Sequence, residues 1–365
     1  MSTPFLELRG VTRRFGNTVA LDRVNLELGD GELLVVLGPT GAGKTTLLRT
    51  IAGLEPIEAG TILMQGQDLS KLSVAQRDVA LVFQNFSLYP DWSVRRNLEF
   101  PLRAPGRALG AEEIRERVAH SASLLGIEAL LDRPARLLSG GEMQRVAIGR
   151  AIVRRPRLYL MDEPLTNLDA KLRETLRVEL AVLARSLRVP MIYVTHDQGE
   201  ALSMADRIAV LVAGKLQQVG APREVYSRPI SPLVARQLGQ PEINFFTVRP
   251  HAGFLCTEDG TRLCASAKAE SEQSLVGVRP EHIEVRTVAG AAGSDAQRTA
   301  VIELVENSGP HQILVTRWAG QRVHALADRS REFHVGDRVE LRIEERNCVS
   351  WEAEPRAPGA SLRAT

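Results

Sequence analysis

The sequence has 365 residues, more than one hydrophobic core ordinarily organises, so about two domains are expected. With 44% hydrophobic and 25% charged residues it reads as an ordinary folded chain rather than a disordered or fibrous one. A formal net charge of +2 gives no electrostatic case for nucleic acid, and no apolar run is long enough to span a bilayer.

In chain order, Phe5–Val11 and Val19–Leu28 suggest an antiparallel flank, Leu33–Leu37 a buried strand and Lys44–Ala52 a helix. Between that strand and helix lies Gly38-Pro39-Thr40-Gly41-Ala42-Gly43-Lys44-Thr45-Thr46, the phosphate-loop pattern G-x-x-x-x-G-K-[ST] in its required context. Its glycines let main-chain N–H groups turn inward toward phosphate oxygens, and the helix N-terminus adds partial positive charge. Lys44 is expected to reach the β- and γ-phosphates, and the Thr45 hydroxyl to ligate Mg²⁺.

Further strands are expected at Val79–Phe83, Leu158–Met161, Met191–Thr195 and Ile208–Val212, and helices at Glu112–Leu125, Gly141–Arg154 and Ala170–Leu187. The alternation predicts an α/β fold with a largely parallel sheet and phosphate chemistry at the strand C-termini. The strand at Leu158–Met161 runs into two adjacent carboxylates. Asp162 is placed to hold Mg²⁺, and Glu163 to take a proton from an attacking water as general base. Leu138-Ser139-Gly140-Gly141-Glu142 opens another helix with close-approach glycines, a second anion site. Ser139 and Glu142 also match the capping box S-x-x-E, which leaves the serine a purely structural alternative.

After Gly239-Gln240-Pro241 the pattern changes to short alternating segments: Leu275–Val278, Ile283–Arg286, Ala300–Val305, Gln312–Arg317, Arg322–Ala327 and Arg338–Glu344. These predict a small all-β barrel or sandwich. Ala289–Ala296 reads as a mobile loop and Pro355–Thr365 as a disordered tail. The expected domains are thus 1–238 and 239–354, with 355–365 as the tail. Cys256, Cys264 and Cys348 fit no zinc or redox spacing; they read as small buried apolar side chains, with Cys256 and Cys264 able to face each other across a hairpin. Met1-Ser2-Thr3-Pro4 has no signal-peptide character, which sets the expectation of a cytoplasmic protein.

The phosphate loop, Leu138–Gln144, Asp162-Glu163-Pro164, Asn167-Leu168-Asp169 and Thr195-His196-Asp197 occur in this order. The set closely resembles the ATP-binding cassette (ABC) ATPases over about residues 5–238. The resemblance implies a P-loop NTPase fold with a helical subdomain and a head-to-tail dimer sandwiching two ATP molecules. The phosphate loop of one subunit would face Ser139-Gly140-Gly141 of the other. It further implies that Gln84 senses Mg²⁺ and the attacking water, that His196 contacts the γ-phosphate, and that Asp169 sits at the dimer interface. Phe15 falls where the family stacks an aromatic on adenine, with ordinary packing as its alternative. Glu142 stands where many members carry Gln.

Gln84–Pro90, followed by Trp92-Ser93-Val94 and Asn97-Leu98, is similar to the segment of maltose- and glycerol-3-phosphate-type importers that docks a membrane subunit's coupling helix. Gly277-Val278-Arg279-Pro280-Glu281-His282 resembles a motif of the OB-fold-like accessory domain in the same branch. The implied protein is an ATPase subunit, peripheral on the cytoplasmic face of the inner membrane. It would be partnered by transmembrane permease subunits, a second ATPase subunit (identical or a close paralogue) and, indirectly, an external solute-binding protein. The branch favours a sugar, polyol or glycerol-3-phosphate as cargo. Polyamine, sulfate or other anion importers, an exporter, and a non-transport cassette ATPase remain the alternatives.

Overall fold

The computed structural model describes residues 3–104, 109–265, 273–288 and 299–352. The loop expected at Ala289–Ala296 and the tail expected at Pro355–Thr365 lie outside the described residues. The chain divides into two units, Met1–Val225 and Tyr226–Thr365.

In the first unit, β1 (Leu6–Phe15) and β2 (Thr18–Leu28) pair antiparallel, as the alternation of buried and exposed residues along them requires. Joined by β4 (Ala59–Met64) and β5 (Gln67–Asp68), they form a sheet in the order β2-β1-β4-β5. A second sheet is built from β3 (Leu33–Leu37), β6 (Val79–Val82), β7 (Leu158–Asp162), β8 (Met191–Thr195), β9 (Arg207–Val212) and β10 (Lys215–Gly220). Its order is β10-β9-β3-β8-β7-β6, parallel except for β10, which runs antiparallel to β9. Every residue of β3, β7 and β8 is buried, the pattern of parallel strands covered on both faces.

The helices are α1 (Lys44–Ala52), α2 (Val94–Glu99), α3 (Ala111–Leu125), α4 (Gly140–Ile152), α5 (Ala170–Leu187), α6 (Gln198–Met204) and α7 (Pro222–Ser227). One buried cluster, including Leu8, Val36, Leu48, Leu160 and Val194, joins both sheets to α1. Because β3, β8 and β7 are neighbours, the residues leaving their C-terminal ends (Gly38, His196 and Glu163) come together although they are far apart in sequence.

Among the described residues, the second unit contains α8 (Pro232–Arg236) and ten antiparallel strands. One sheet comprises β11 (Asn244–His251), β12 (Phe254–Thr257), β13 (Arg262–Ala265), β14 (Ser274–Val278) and β20 (Cys348–Glu352), in the order β13-β12-β11-β14-β20. The other comprises β15 (Ile283–Thr287), β16 (Thr299–Ser308), β17 (His311–Trp318), β18 (Gln321–Asp328) and β19 (Arg338–Ile343), in the order β15-β19-β16-β17-β18. Phe246, Val276, Leu314, Val323 and Leu341 belong to one core that both sheets share.

The units divide thirteen residues before the expected boundary after Leu238. The physical reason lies in Arg279. Its Nη2 donates to Tyr226 O at 2.9 Å, its Nη1 donates to Leu238 O, and its guanidinium lies 3.9 Å from the Tyr226 ring centroid. Trp351 Nε1 adds a bond to Pro229 O at 3.1 Å. The segment before Gly239 is thereby tied to the antiparallel unit. Gly239 itself has φ +108°, and a Cβ there would lie 2.4 Å from Arg279 Nη1.

The expected facing of Cys256 and Cys264 is not what forms. An irregularity in the β12–β13 pairing sets Leu255 opposite Cys264 and Cys256 opposite Arg262. The Cys264 Sγ instead lies 3.8 Å from the Cys348 Sγ.

Candidate functional site

The loop after β3 has its shape enforced by close approach. A Cβ on Gly38 would sit 2.1 Å from Leu211 O, and one on Gly43 2.3 Å from Ala20 O, so neither position admits a side chain. Gly41 and Gly43 also adopt φ +79° and +104°, the left-handed region that favours glycine. This cradle fits a phosphate group, since glycines in these conformations let main-chain N–H groups converge on an anion.

Lys44 is buried, and its ammonium is fully partnered. Nζ donates to Gly38 O at 2.9 Å and Pro39 O at 3.0 Å, and pairs with Glu163 Oε1 at 3.1 Å. Thr45 Oγ1 donates to Asp162 Oδ1 at 2.9 Å. That hydroxyl and carboxylate are hard oxygen donors from two elements at one point, which suits Mg²⁺. Among the described residues no group of three or more His, Cys, Asp or Glu is arranged to hold a metal.

Asp162 and Glu163 part company through the backbone rather than through strand alternation. Asp162 ends β7, whereas Glu163 lies beyond the strand with φ +43°. Its N–H donates to Val194 O at 3.1 Å, and its carboxylate swings toward Lys44 and His196. Such a conformation is uncommon for a side chain of this size and is held here from three sides. His196 Nδ1 lies 3.0 Å from Glu163 Oε2; the carboxylate can only accept, so Nδ1 is the donor.

The two carboxyls titrate in opposite directions. Burial pushes the Asp162 carboxyl up, with Glu163 adding to the rise and the Thr45 hydrogen bond opposing it. Burial also acts to raise Glu163, but the Lys44 hydrogen bond and charge, with His196 behind them, outweigh it and hold Glu163 below its ordinary value.

The other expected site residues are placed as follows. Gln84 is exposed just past β6, and its carbonyl accepts from Asn167 Nδ2 at 3.0 Å. Phe15 ends β1, is 45% exposed, and carries the Arg13 guanidinium 4.5 Å from its ring centroid. Ser139 caps α4 by accepting from Glu142 N at 3.4 Å, while its own N–H and Oγ donate to Glu142 Oε2 at 2.7 and 2.8 Å. Those bonds, backbone first, hold the Glu142 carboxyl below its ordinary value. A Cβ on Gly141 would lie 2.7 Å from Leu172 Cδ2, so α4 meets α5 through that glycine. Asp169 caps α5 through Leu172 N at 3.0 Å.

The region around Gln84–Pro90 lies beside a cleft of about 900 Å³ lined by Leu54, Val74, Phe83, Phe86, Phe100 and Arg150. Phe86 and Leu88 are half-buried rather than exposed, and Tyr89 is the most open of the three. Tyr89 stacks on Trp92 with centroids 4.2 Å apart, and Phe100 meets both edge-on. Asn97, fully buried, fixes this turn by accepting from Tyr89 N at 2.9 Å and donating to Tyr89 O at 3.0 Å and Ser93 O at 3.1 Å.

Sequence reasoning passed over one pair in the site's foundation. Tyr193 on β8 donates through its hydroxyl to Glu200 Oε2 on α6 at 2.8 Å, and both are buried. Glu200 belongs to none of the sequence motifs, so nothing marked its carboxyl as an interior group.

A Gly-lined loop, a buried lysine, a hydroxyl–carboxylate pair and a second carboxylate between lysine and histidine at adjoining strand ends fit a P-loop ATPase. Comparison with known proteins takes this further. The ABC transporter family model matches residues 21–166, and a TOBE domain model matches residues 276–351. The sn-glycerol-3-phosphate import ATP-binding protein of Chromohalobacter salexigens is 42% identical over 352 residues, covering 95% of this chain and 94% of that protein. The protein of the same name from Cereibacter sphaeroides is 46% identical over 278 residues, covering 76% of this chain and 78% of that protein.

Among solved structures, an ATP-binding cassette in a dimeric post-hydrolysis state bound to ADP and phosphate is 30% identical, with a TM-score of 0.53. The match covers 60% of this chain and 99% of the other. A Clostridium perfringens subunit of an ABC transporter complex is 28% identical, with a TM-score of 0.57, covering 61% of this chain and 91% of the other. The chain belongs to the ATP-binding subunits of ABC importers, and it is an ATPase. No helix among the described residues is long and apolar enough to cross a membrane.

Proposed function

We propose that this chain hydrolyses ATP to energise an importer of sn-glycerol-3-phosphate or a related sugar or polyol, from the cytoplasmic face of the inner membrane. The observation that carries the hydrolytic reading is the Lys44–Glu163–His196 chain of contacts beside Thr45 and Asp162. The identity of the import relatives over nearly the whole chain supports the cargo class.

ATP enters with Phe15 against its adenine and its phosphates in the Gly38–Thr46 loop. Lys44 then exchanges Glu163 Oε1 for β- and γ-phosphate oxygens. Freed of that cation, Glu163 keeps its burial, so its proton affinity rises and it becomes a better base. Water attacks the γ-phosphorus, its proton passes to a Glu163 carboxylate oxygen, and ADP leaves. Gln84 orients the water, and His196 transfers its hydrogen bond from Glu163 to a γ-phosphate oxygen. Thr45 and Asp162 would hold Mg²⁺, which would neutralise phosphate charge during the transfer.

Ser139–Gly141 of a second copy would close over the nucleotide, with Asp169 at the same interface. For that contact the Ser139 hydroxyl has to turn from Glu142. The aromatic-rimmed cleft beside Gln84–Pro90 suits a coupling helix of the permease, which in turn meets the external binding protein. Affinity purification of the tagged chain from gently solubilised native membranes tests the assembly. Recovery of polytopic membrane subunits and an exported solute-binding protein is expected. Recovery of soluble partners alone would overturn the importer reading in favour of a non-transport ATPase.

A further inference from the structure

We infer that Glu200 and Tyr193 form an internal brace that positions His196 against Glu163. The inference rests on the roles proposed for those two residues. His196 is the middle of a short connection between β8 and α6, and every residue flanking it is tied. Val194 O accepts from Glu163 N at 3.1 Å. Thr195 Oγ1 accepts from Asp197 N at 2.9 Å, and Asp197 Oδ1 accepts from Glu200 N at 3.0 Å.

The Glu200 carboxyl departs from the usual habit of a glutamate at this position of a helix. In a capping box it would reach back to the main-chain N–H of the capping residue. Here that N–H, on Asp197, is taken by Thr195. The carboxyl turns inward and accepts the Tyr193 hydroxyl at 2.8 Å, with the Thr195 hydroxyl as a second hydrogen-bonding neighbour. Tyr193 and Thr195 lie two apart on β8 and so share a face.

Glu200 thus clamps the first turn of α6 to the last residues of β8 from beneath, and the loop bearing His196 spans the clamp. Glu200 is only 3% exposed and Tyr193 1%, and among the described residues neither side chain forms a hydrogen bond or ion pair with the cradle. Burying a carboxyl and a phenol away from water is costly unless they satisfy each other. Surface glutamate at the same position would cap α6 equally well. The pair is explained if the loop must be held to the tolerance that Glu163 and His196 require of each other, 3.0 Å between Oε2 and Nδ1.

The test is a mutant cycle on the full-length chain, with steady-state ATP hydrolysis and circular dichroism melts for each variant. Glu200→Ala is expected to lower kcat roughly tenfold with KM for ATP within about twofold, since a misplaced group costs rate more than ground-state binding. Glu200→Gln, which can still accept from Tyr193, should recover most of the rate. In a His196→Ala background Glu200→Ala should cost less than about twofold more, the non-additivity expected of residues acting as one unit. If Glu200→Ala does not fold, Tyr193→Phe, which removes only the hydroxyl, runs through the same cycle.

Unchanged kcat in the variant tested, or its full loss repeated in the His196→Ala background, overturns the inference. A His196→Ala chain that hydrolyses ATP at the parent rate removes the proposed role of His196, and the inference falls with it. A slow His196→Ala chain with additive losses removes the inference alone.

Discussion

Two buried cations, one in each unit, show how the same physics serves opposite ends. Lys44 and Arg279 are 5% and 4% exposed, and a cation so buried is tolerated only with close polar partners. Arg279 spends its guanidinium on the main chain at Tyr226 and Leu238 and on the Tyr226 ring. None of those partners has a reason to leave, so the arginine is a rivet. Lys44 also holds two carbonyls, but its charge is met by Glu163, which His196 contacts from the other side. On the function proposed, that partner is traded for a phosphate. A sequence motif built around a buried cation is chemical when the counter-charge is exchangeable, and architectural when the main chain takes it up.

The comparison breaks first at Glu163. Glu163→Gln is expected to cut single-turnover hydrolysis by roughly a thousandfold, the scale of losing a general base, while equilibrium ATP binding persists. Hydrolysis near the parent rate would make the strand-end cluster a structural network like that of Arg279. Arg279→Ala should do the reverse. It leaves two carbonyls without their partner and is expected to destabilise the second unit by about 3 kcal/mol, read in urea melts, with the Kd for ATP unchanged. A matching loss of ATP affinity would erase the distinction between rivet and reagent.

How much of this was legible follows from where each signal comes from. β3, α1, α5 and β8 have the bounds expected from sequence, because apolar runs mark the two strands, a glycine loop opens α1, and a capping aspartate with apolar residues at helical spacing marks α5. The strand-end site was legible for the same reason: its residues sit where the strands stop. β4, β5, β10, β11 and β20 have no counterpart among the segments named from sequence, whereas β12 and β13 form the hairpin expected around Cys256 and Cys264, in a different register. In β4 only Ile62 and Met64 are buried, and in β10 only Gly220, so their alternation barely registers. The segment before Gly239 looked like part of the first domain because the residue that claims it, Arg279, lies some forty residues further on. Glu200 was missed because its partner Tyr193 lies on a strand read only as an apolar run, and no motif singles out either residue.

Phe15 sharpens the comparison from the exposed side. At 45% exposure it contributes little to the fold, so Phe15→Ala should shift stability by less than about 0.5 kcal/mol. Loss of stacking on adenine should nonetheless weaken ATP binding roughly tenfold in titration calorimetry. An unmoved Kd would leave Phe15 as surface packing beneath Arg13.

The smallest effect separates two carboxylates within the first unit. Burial raises Glu200 above its ordinary value of 4.5, and the hydrogen bonds from Thr195 and Tyr193 recover only part of that rise. Glu163 lies below 4.5, because the Lys44 and His196 contacts overcome its burial. Their contributions to stability therefore run in opposite senses. Between 4.5 and the raised value, folded Glu200 binds more protons than the unfolded chain does. Its contribution is present in full below 4.5 and is lost as pH rises through the folded value. That of Glu163 is present above 4.5 and is lost as pH falls through its depressed value. Glu200→Gln removes the first and leaves the second, so denaturation midpoints should fall less steeply as pH rises above 4.5. The change in slope is bounded by a single proton, at most about 1.4 kcal/mol per pH unit. Because the amide still accepts from Tyr193, a parent-like slope in Glu200→Gln would mean that the buried carboxyl is not what titrates. The inward turn of Glu200 would then have to be explained by packing alone.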